Sequence, residues 1–235
     1  MSALAKLCLN KGKVVSGSDK VKTHITEELK HLGATIFYKH QKKNIFGADL
    51  VVYTCAVGEN NIEVQTARQN GICTIERASF LGKIAKEYEE VIAVAGSHGK
   101  TTVCGMISKI FEEFKQKPTL IVGGETSTGN LIIGDKKFLI VEACEYKEHF
   151  LKIPHTTGVI LNIDFDHPDY FKTEKNYQKA FIKFAKQSKK RVFIDEKHKI
   201  IFGDNNVTFG IGGDFSAHHI VYKENSIIFD VYKKN

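Results

Sequence analysis

The chain has 235 residues, 42% of them hydrophobic, and a formal net charge of +7. That length accommodates one large or two small domains, and the apolar content excludes wholesale disorder. No stretch reaches the roughly 18 apolar residues of a membrane span, and Met1 to Asn10 is too short and too weakly apolar for a secretory leader, so a cytoplasmic protein with no membrane partner is expected.

Two α/β blocks follow along the chain. In the first, Leu4, Leu7 and Cys8 predict a helix, and Lys13 to Ser16 a short strand ending in Gly17-Ser18-Asp19. Ile25, Leu29 and Leu32 mark a helix stopped by Gly33. Ala34 to Phe37 and Asp49 to Tyr53 read as strands. Glu59 to Asn70 reads as a helix, Ile72 to Ile75 as a strand, and Ala78, Leu81, Ile84, Ala85 and Tyr88 as a last helix. This alternation implies a parallel sheet covered by helices. In the second block, Val91 to Ala95, Phe138 to Val141, Val159 to Ile163 and Val192 to Ile194 are expected parallel strands, with a helix over Lys175 to Ser188. Ile220 to Tyr222 and Ser226 to Tyr232 predict an antiparallel pair turning at Lys223-Glu224-Asn225.

The basic excess collects in Lys42-Lys43, Lys136-Lys137, Lys186 to Arg191 and Lys233-Lys234. These runs lack interleaved aromatics and read as solvated faces, so no nucleic-acid partner is expected. Cys8, Cys55, Cys73, Cys104 and Cys144 are scattered without a C-x-x-C pair, as reduced thiols are.

Chemistry concentrates at three strand ends. The run Val91 to Ala95 delivers Gly96-Ser97-His98-Gly99-Lys100-Thr101-Thr102 onto a helix whose apolar residues are Val103, Met106, Ile107, Ile110, Phe111 and Phe114. Those step by three and four, as a buried face requires. Backbone N–H groups, a helix N-terminus, an ammonium and a hydroxyl suit a phosphate and its metal ion. The strict P-loop carries a glycine where Val94 stands, so the form here is the shorter G-x-x-G-K-T. His98 either contacts nucleotide or fills a turn position. The second strand ends in Glu142 and the third in Asp164-Phe165-Asp166-His167. Ligands of parallel sheets bind at such ends. Thr101 and Glu142 suit Mg²⁺, and His167 a second ion or the substrate. Capping by Glu142 and a turn role for His167 are the plainer alternatives.

GSHGKTT (Gly96 to Thr102), EACEYKEHF (Glu142 to Phe150) and DFDHPDYF (Asp164 to Phe171, after Leu161-Asn162-Ile163) together resemble the Mur ligases, which build the cytoplasmic precursor of the bacterial cell wall. Met1 to Asp19 and Ile228 to Tyr232 extend the resemblance over essentially the whole chain. It is strongest to the branch that joins L-alanine to UDP-N-acetylmuramate. Many members carry aspartate where Cys144 stands.

The resemblance implies a truncated Rossmann-like domain for the UDP-bearing substrate at 1–89, without the family's first strand and glycine loop. A P-loop ATPase-like parallel-sheet domain at 90–235, incomplete at its C-terminus, is implied to follow. The family's amino-acid-binding third domain has no counterpart here. It further implies ATP and Mg²⁺ as cofactors, an acyl phosphate on the muramate carboxylate, and attack by the alanine amine. Carried over by position, Lys100 grips the transferring phosphate, Thr101 and Glu142 ligate Mg²⁺, and His167 serves a further metal or the acyl phosphate. Gly96, Ser97, His98, Gly99 and Thr102 wrap the phosphates. Ser18, Asp19, Thr54, Ala56, Arg77 and Asn162 meet the substrate. A shortened member is expected to be inactive alone and to associate through exposed edges. A non-catalytic nucleotide-binding remnant and a ligase attaching a recycled peptide stay open.

Overall fold

The computed structural model describes residues 1–126, 129–203 and 205–234. The first block opens with α1 (Ser2–Asn10), β1 (Ser16–Ser18), α2 (His24–His31) and β2 (Thr35–Phe37). It continues through a 3₁₀ turn at Lys42–Ile45 to β3 (Leu50–Tyr53), α3 (Ile62–Gln69), β4 (Cys73–Glu76) and α4 (Arg77–Ala85). Thr23 and Thr26 form a reciprocal capping box that starts α2. Asn61 accepts from the N–H groups of Glu63 and Val64, which starts α3 three residues later than Glu59. The expected strand at Lys13 to Ser16 instead lies at β1, and Val14 is fully exposed. The expected single sheet is two separate parallel pairs, β1 with β2 and β3 with β4. Among the described residues no strand joins them.

The second block runs β5 (Glu90–Ala95), α5 (Lys100–Glu113), β6 (Thr119–Thr126), β7 (Gly129–Ile132), β8 (Phe138–Glu142), a 3₁₀ segment Tyr146–Lys152 and β9 (Thr157–Ile160). Then come α6 (Pro168–Phe171), α7 (Glu174–Gln187), β10 (Arg191–Asp195), α8 (Lys199–Phe202), β11 (Val207–Phe209), β12 (Phe215–Lys223) and β13 (Ser226–Lys233). They build one nine-stranded sheet in the order β13-β12-β11-β10-β9-β5-β8-β6-β7. Its interior is parallel, and the edge strands β7 and β13 are antiparallel to their neighbours. The chain leaves β5 towards β6 and β8 on one side and returns to β9 on the other. The carboxyl end of β5 is therefore a switch point, where a crevice opens.

The hairpin β6–β7 and the strand β11 carry no helix or strand expectation from the sequence, and β9 stops at Ile160 rather than Ile163. One core layer holds Leu81, Leu139, Val141, Phe150, Ile160, Tyr177, Phe181 and Phe184, joined by Leu4 and Leu7 of α1. Helices α1 and α4 of the first block thus pack on the second block's sheet. On the opposite face, α5 covers Val94, Leu120, Val122 and Ile140. Here the expected stripe is corrected. Cys104 and Ser108 are the buried residues of α5, while Met106, Ile110 and Phe114 are 59%, 55% and 76% exposed. Apolar residues surround much of this helix, so periodicity alone does not select the face. The small side chains at 104 and 108 let the helix sit close to the sheet. Met106 and Ile110 instead line an open groove of about 460 Å³ with Leu120 and Ile132.

Candidate nucleotide site at the head of the second sheet

The loop after β5 is shaped by two glycines. Gly96 has φ 144°, and a Cβ there would lie 3.1 Å from the Leu161 side chain and 3.2 Å from the Asn162 nitrogen. Gly99 has φ 80° and caps α5. Lys100, Thr101 and Thr102 form the first turn, and among the described residues no acceptor is recorded for their N–H groups. A cleft of about 370 Å³ lies over this turn, lined by Ser97, His98, Gly99, Lys100, Thr101, Thr102 and Glu142. Helix N-termini with open donors bind anions.

At one end of the cleft, Thr101 donates to Glu142 Oε2 at 2.7 Å, and the Gly123 N–H donates to the same oxygen at 2.9 Å. A Cβ on Gly124 would stand 3.3 Å from Thr101 Oγ1. The glycine pair of β6 therefore frames this hydroxyl and carboxylate. Two hard oxygen donors in contact beside a helix N-terminus with open N–H groups fit Mg²⁺.

At the other end stands Glu145, a residue not assigned a role from sequence. Its side chain is 2% exposed. Lys100 Nζ donates to Glu145 Oε2 at 3.0 Å, to the Gly96 carbonyl at 2.5 Å and to the Ser97 carbonyl at 3.2 Å. His167 Nε2 lies 3.6 Å from Glu145 Oε1 and 3.8 Å from Asp166 Oδ2. Glu145, Asp166 and His167 converge closely enough to hold a cation among them. The His167 ring packs 4.6 Å from the Tyr146 ring. His167, Lys147 and Glu148 all have left-handed backbones, with φ of 55°, 53° and 56°. Such strain collects at functional sites. Cys144, beside Glu142, is a neutral thiol pushed up by burial and then by Glu145, so it adds no third anion.

Two predicted contacts are used elsewhere. Ser97 Oγ donates to the Asp164 carbonyl at 2.7 Å, accepts from the Asp164 N–H at 3.0 Å and meets Tyr177 OH at 2.8 Å. Burial pushes the Tyr177 phenol up, so it remains a neutral donor to Ser97. The Ser97 side chain thus braces the loop from within. Asn162 accepts from the His98 N–H at 2.9 Å and donates to the His98 carbonyl at 3.1 Å. It clamps the loop, and the His98 imidazole extends 70% exposed.

The first block's predicted residues lie at or just beyond the carboxyl ends of β1, β3 and β4. Ser18 donates to Glu63 Oε1 at 2.5 Å, inside a network where Glu63 also accepts from Asn44 at 2.7 Å and pairs with His40 at 2.8 Å. The Ser18 hydroxyl is therefore committed to Glu63. Asp19 accepts the Val21 N–H at 3.1 Å. Thr54 opens a turn in which Ala56 is exposed. Arg77 begins α4. Burial first, then Arg77, lowers the Met1 amino group to about 6. Glu76, next to Arg77, lies 3.8 Å from His149, which brings the carboxyl end of β4 up to the Tyr146–Lys152 segment.

Residues 1–89 match the family described as "Mur ligase family, catalytic domain", and residues 94–233 match "Mur ligase middle domain". A UDP-N-acetylmuramate–L-alanine ligase from Clostridium botulinum is 42% identical over 247 aligned residues, covering 100% of this chain and 54% of the relative. The solved UDP-N-acetylmuramate–alanine ligase of Thermotoga maritima superposes with a TM-score of 0.88 at 28% identity, covering 99% of this chain and 55% of that one. A UDP-N-acetylmuramate:L-alanyl-gamma-D-glutamyl-meso-diaminopimelate ligase from Neisseria meningitides shares the fold, with a TM-score of 0.83 at 21% identity. The chain spans about half the length of the curated relatives it matches. With both segments matched in order and the loop, carboxylate and histidine gathered at one switch point, the chain belongs to the Mur ligase family.

Proposed function

We propose that this chain is the nucleotide- and UDP-substrate-handling part of an ATP-dependent ligase that joins L-alanine to UDP-N-acetylmuramate. In this reading, residues 1–89 take the UDP-bearing substrate and residues 90–235 take ATP. One muramate carboxylate oxygen attacks the γ-phosphorus of ATP, ADP leaves, and an acyl phosphate forms. The alanine amine then displaces phosphate to give the amide and releases a proton. Mg²⁺ offsets phosphate charge in such transfers. The chain's own share is positioning: N–H groups of Lys100, Thr101 and Thr102 around the phosphates, with the Lys100 ammonium on the transferring group. Thr101 and Glu142 hold the ion, and His167 faces the acyl phosphate or a second ion.

The observation that carries this reading is the Thr101–Glu142 contact of 2.7 Å at the open first turn of α5. The names of the matched alanine ligases support the substrate assignment. The test is calorimetric titration with AMP-PNP and Mg²⁺, beside hydroxylamine trapping of acyl phosphate from ATP and UDP-N-acetylmuramate. Binding is expected in the wild type and is expected to fall at least about a hundredfold in Lys100→Ala, the scale of a lost charge-assisted phosphate contact. Unchanged affinity in that variant defeats the reading. Binding without any trapped acyl phosphate favours a non-catalytic nucleotide-binding role.

A further inference from the structure

Lysine has three donors, and those of Lys100 are fully engaged by Gly96 O, Ser97 O and Glu145 Oε2. Its ammonium is turned back onto its own loop, and its side chain is only 13% exposed. A phosphate entering the cleft finds backbone donors open but the lysine occupied. For Lys100 to meet that phosphate, at least one of its three partners must let go. The carboxylate is the partner that a polyanion outcompetes, because it offers the same kind of charge in smaller amount. Glu145 is too buried to be left bare without cost. Its second oxygen already lies 3.6 Å from His167 Nε2. The two faces of one carboxylate thus look at the phosphate lysine and at the histidine.

We infer that Glu145 is a positioning residue with two successive partners. In the nucleotide-free protein it holds Lys100 withdrawn. When a polyphosphate takes the ammonium, Glu145 passes to His167 and orients that ring towards the reacting end of the nucleotide. This deepens the nucleotide reading above and rests on it. Occupancy of the loop is thereby communicated to the histidine through a single side chain.

Glu145→Gln keeps the size of the side chain and one acceptor oxygen but removes the charge that restrains Lys100. A residue with a merely structural role weakens binding when replaced. Here AMP-PNP, titrated in EDTA so that no metal intervenes, is expected to bind E145Q about fivefold tighter than the wild type, the scale of releasing one ion pair. Asp166→Asn removes a nearby charge that does not touch Lys100, and a much smaller gain is expected. In parallel, the carbon-bound imidazole proton of His167, assigned with a His167→Gln variant, is expected to shift in the NMR spectrum of the wild type on saturation with AMP-PNP. The response is expected to be lost in E145Q. Unchanged or weaker binding by E145Q, or an equal gain in D166N, overturns the handover. Should E145Q melt early, the wild-type spectrum decides alone: saturation without a His167 shift overturns it. A wild type that binds no AMP-PNP defeats the loop reading and the handover together, whereas binding with an unaltered E145Q defeats the handover only.

Discussion

Tyr177 and Ser97 show how a single hydrogen bond sets what a loop can do. Tyr177 sits in the α7 layer with no exposed surface, and its hydroxyl reaches Ser97. The loop is thereby tied to the core, and the helix N-terminus is held ready without help from a ligand. A second buried polar residue has a different consequence. His155 is 1% exposed, stacks on Phe184 at 4.3 Å, and donates from Nδ1 to the Ile153 carbonyl at 2.9 Å. Burial lowers its pKa below the ordinary 6.5. The unfolded chain therefore binds a proton that the folded chain resists. Stability from this residue is complete above about pH 6.5 and is lost as pH falls below it. Thermal melts between pH 7.5 and 5.5 are expected to show the midpoint falling with pH, and His155→Phe is expected to flatten that slope. Its cost at pH 7.5 is expected to be about 1 kcal/mol, the scale of the one hydrogen bond removed. A slope identical in the two proteins refutes the assignment.

At the scale of elements, β6 carries more of the site than its sequence suggests. Its glycines serve the loop rather than the sheet: Gly123 donates to Glu142, and Gly124 leaves room for Thr101. Gly124→Val suits a strand by propensity but places methyl groups against Thr101. It is expected to weaken AMP-PNP binding about tenfold in the presence of Mg²⁺, equivalent to 1.4 kcal/mol. Binding measured in EDTA is expected to change little. Equal loss under both conditions shows that the strand supports the loop in general and not the hydroxyl–carboxylate pair. This element also marks where sequence reading stops. Helices α2 and α7 are plain from their caps and stripes, because Thr23 and Thr173 precede amphipathic runs. The β6–β7 hairpin is not, since Gly123 and Gly124 interrupt its pattern where function needs them. Helix α5 stands where its stripe predicts, but only half of that stripe, Val103, Ile107 and Phe111, turns to the sheet, because apolar residues flank both sides of its buried row.

For the whole molecule, the sheet ends in an exposed ribbon. Strands β12 and β13 pair from Phe215↔Lys233 to Lys223↔Ser226, with a register shift between His218 and Val221. Tyr222, Val231 and Ile227 are 76%, 66% and 56% exposed, and β13 has a free edge among the described residues. Long apolar edge strands recruit other chains. Light scattering on the purified chain is expected to show mass rising with concentration, and Phe229→Lys with Val231→Lys on one face of β13 is expected to return it to the monomer. A wild type that stays monomeric at about 100 μM, far above the usual range of specific association, refutes this use of the edge.

The glycine turn, its helix and the acidic end of β8 are readable along the chain because each rests on neighbouring residues. A glycine must stand where the backbone turns, and a lysine and threonine must open the helix for their groups to face an anion. The order β8-β5-β9 is not written in any local spacing. It alone brings Glu145 to Lys100, 45 positions away, and Asn162 to His98, 64 positions away. Which polar groups bind a ligand and which brace the loop depends on those crossings, since a side chain is committed only once the neighbouring strand delivers its partner.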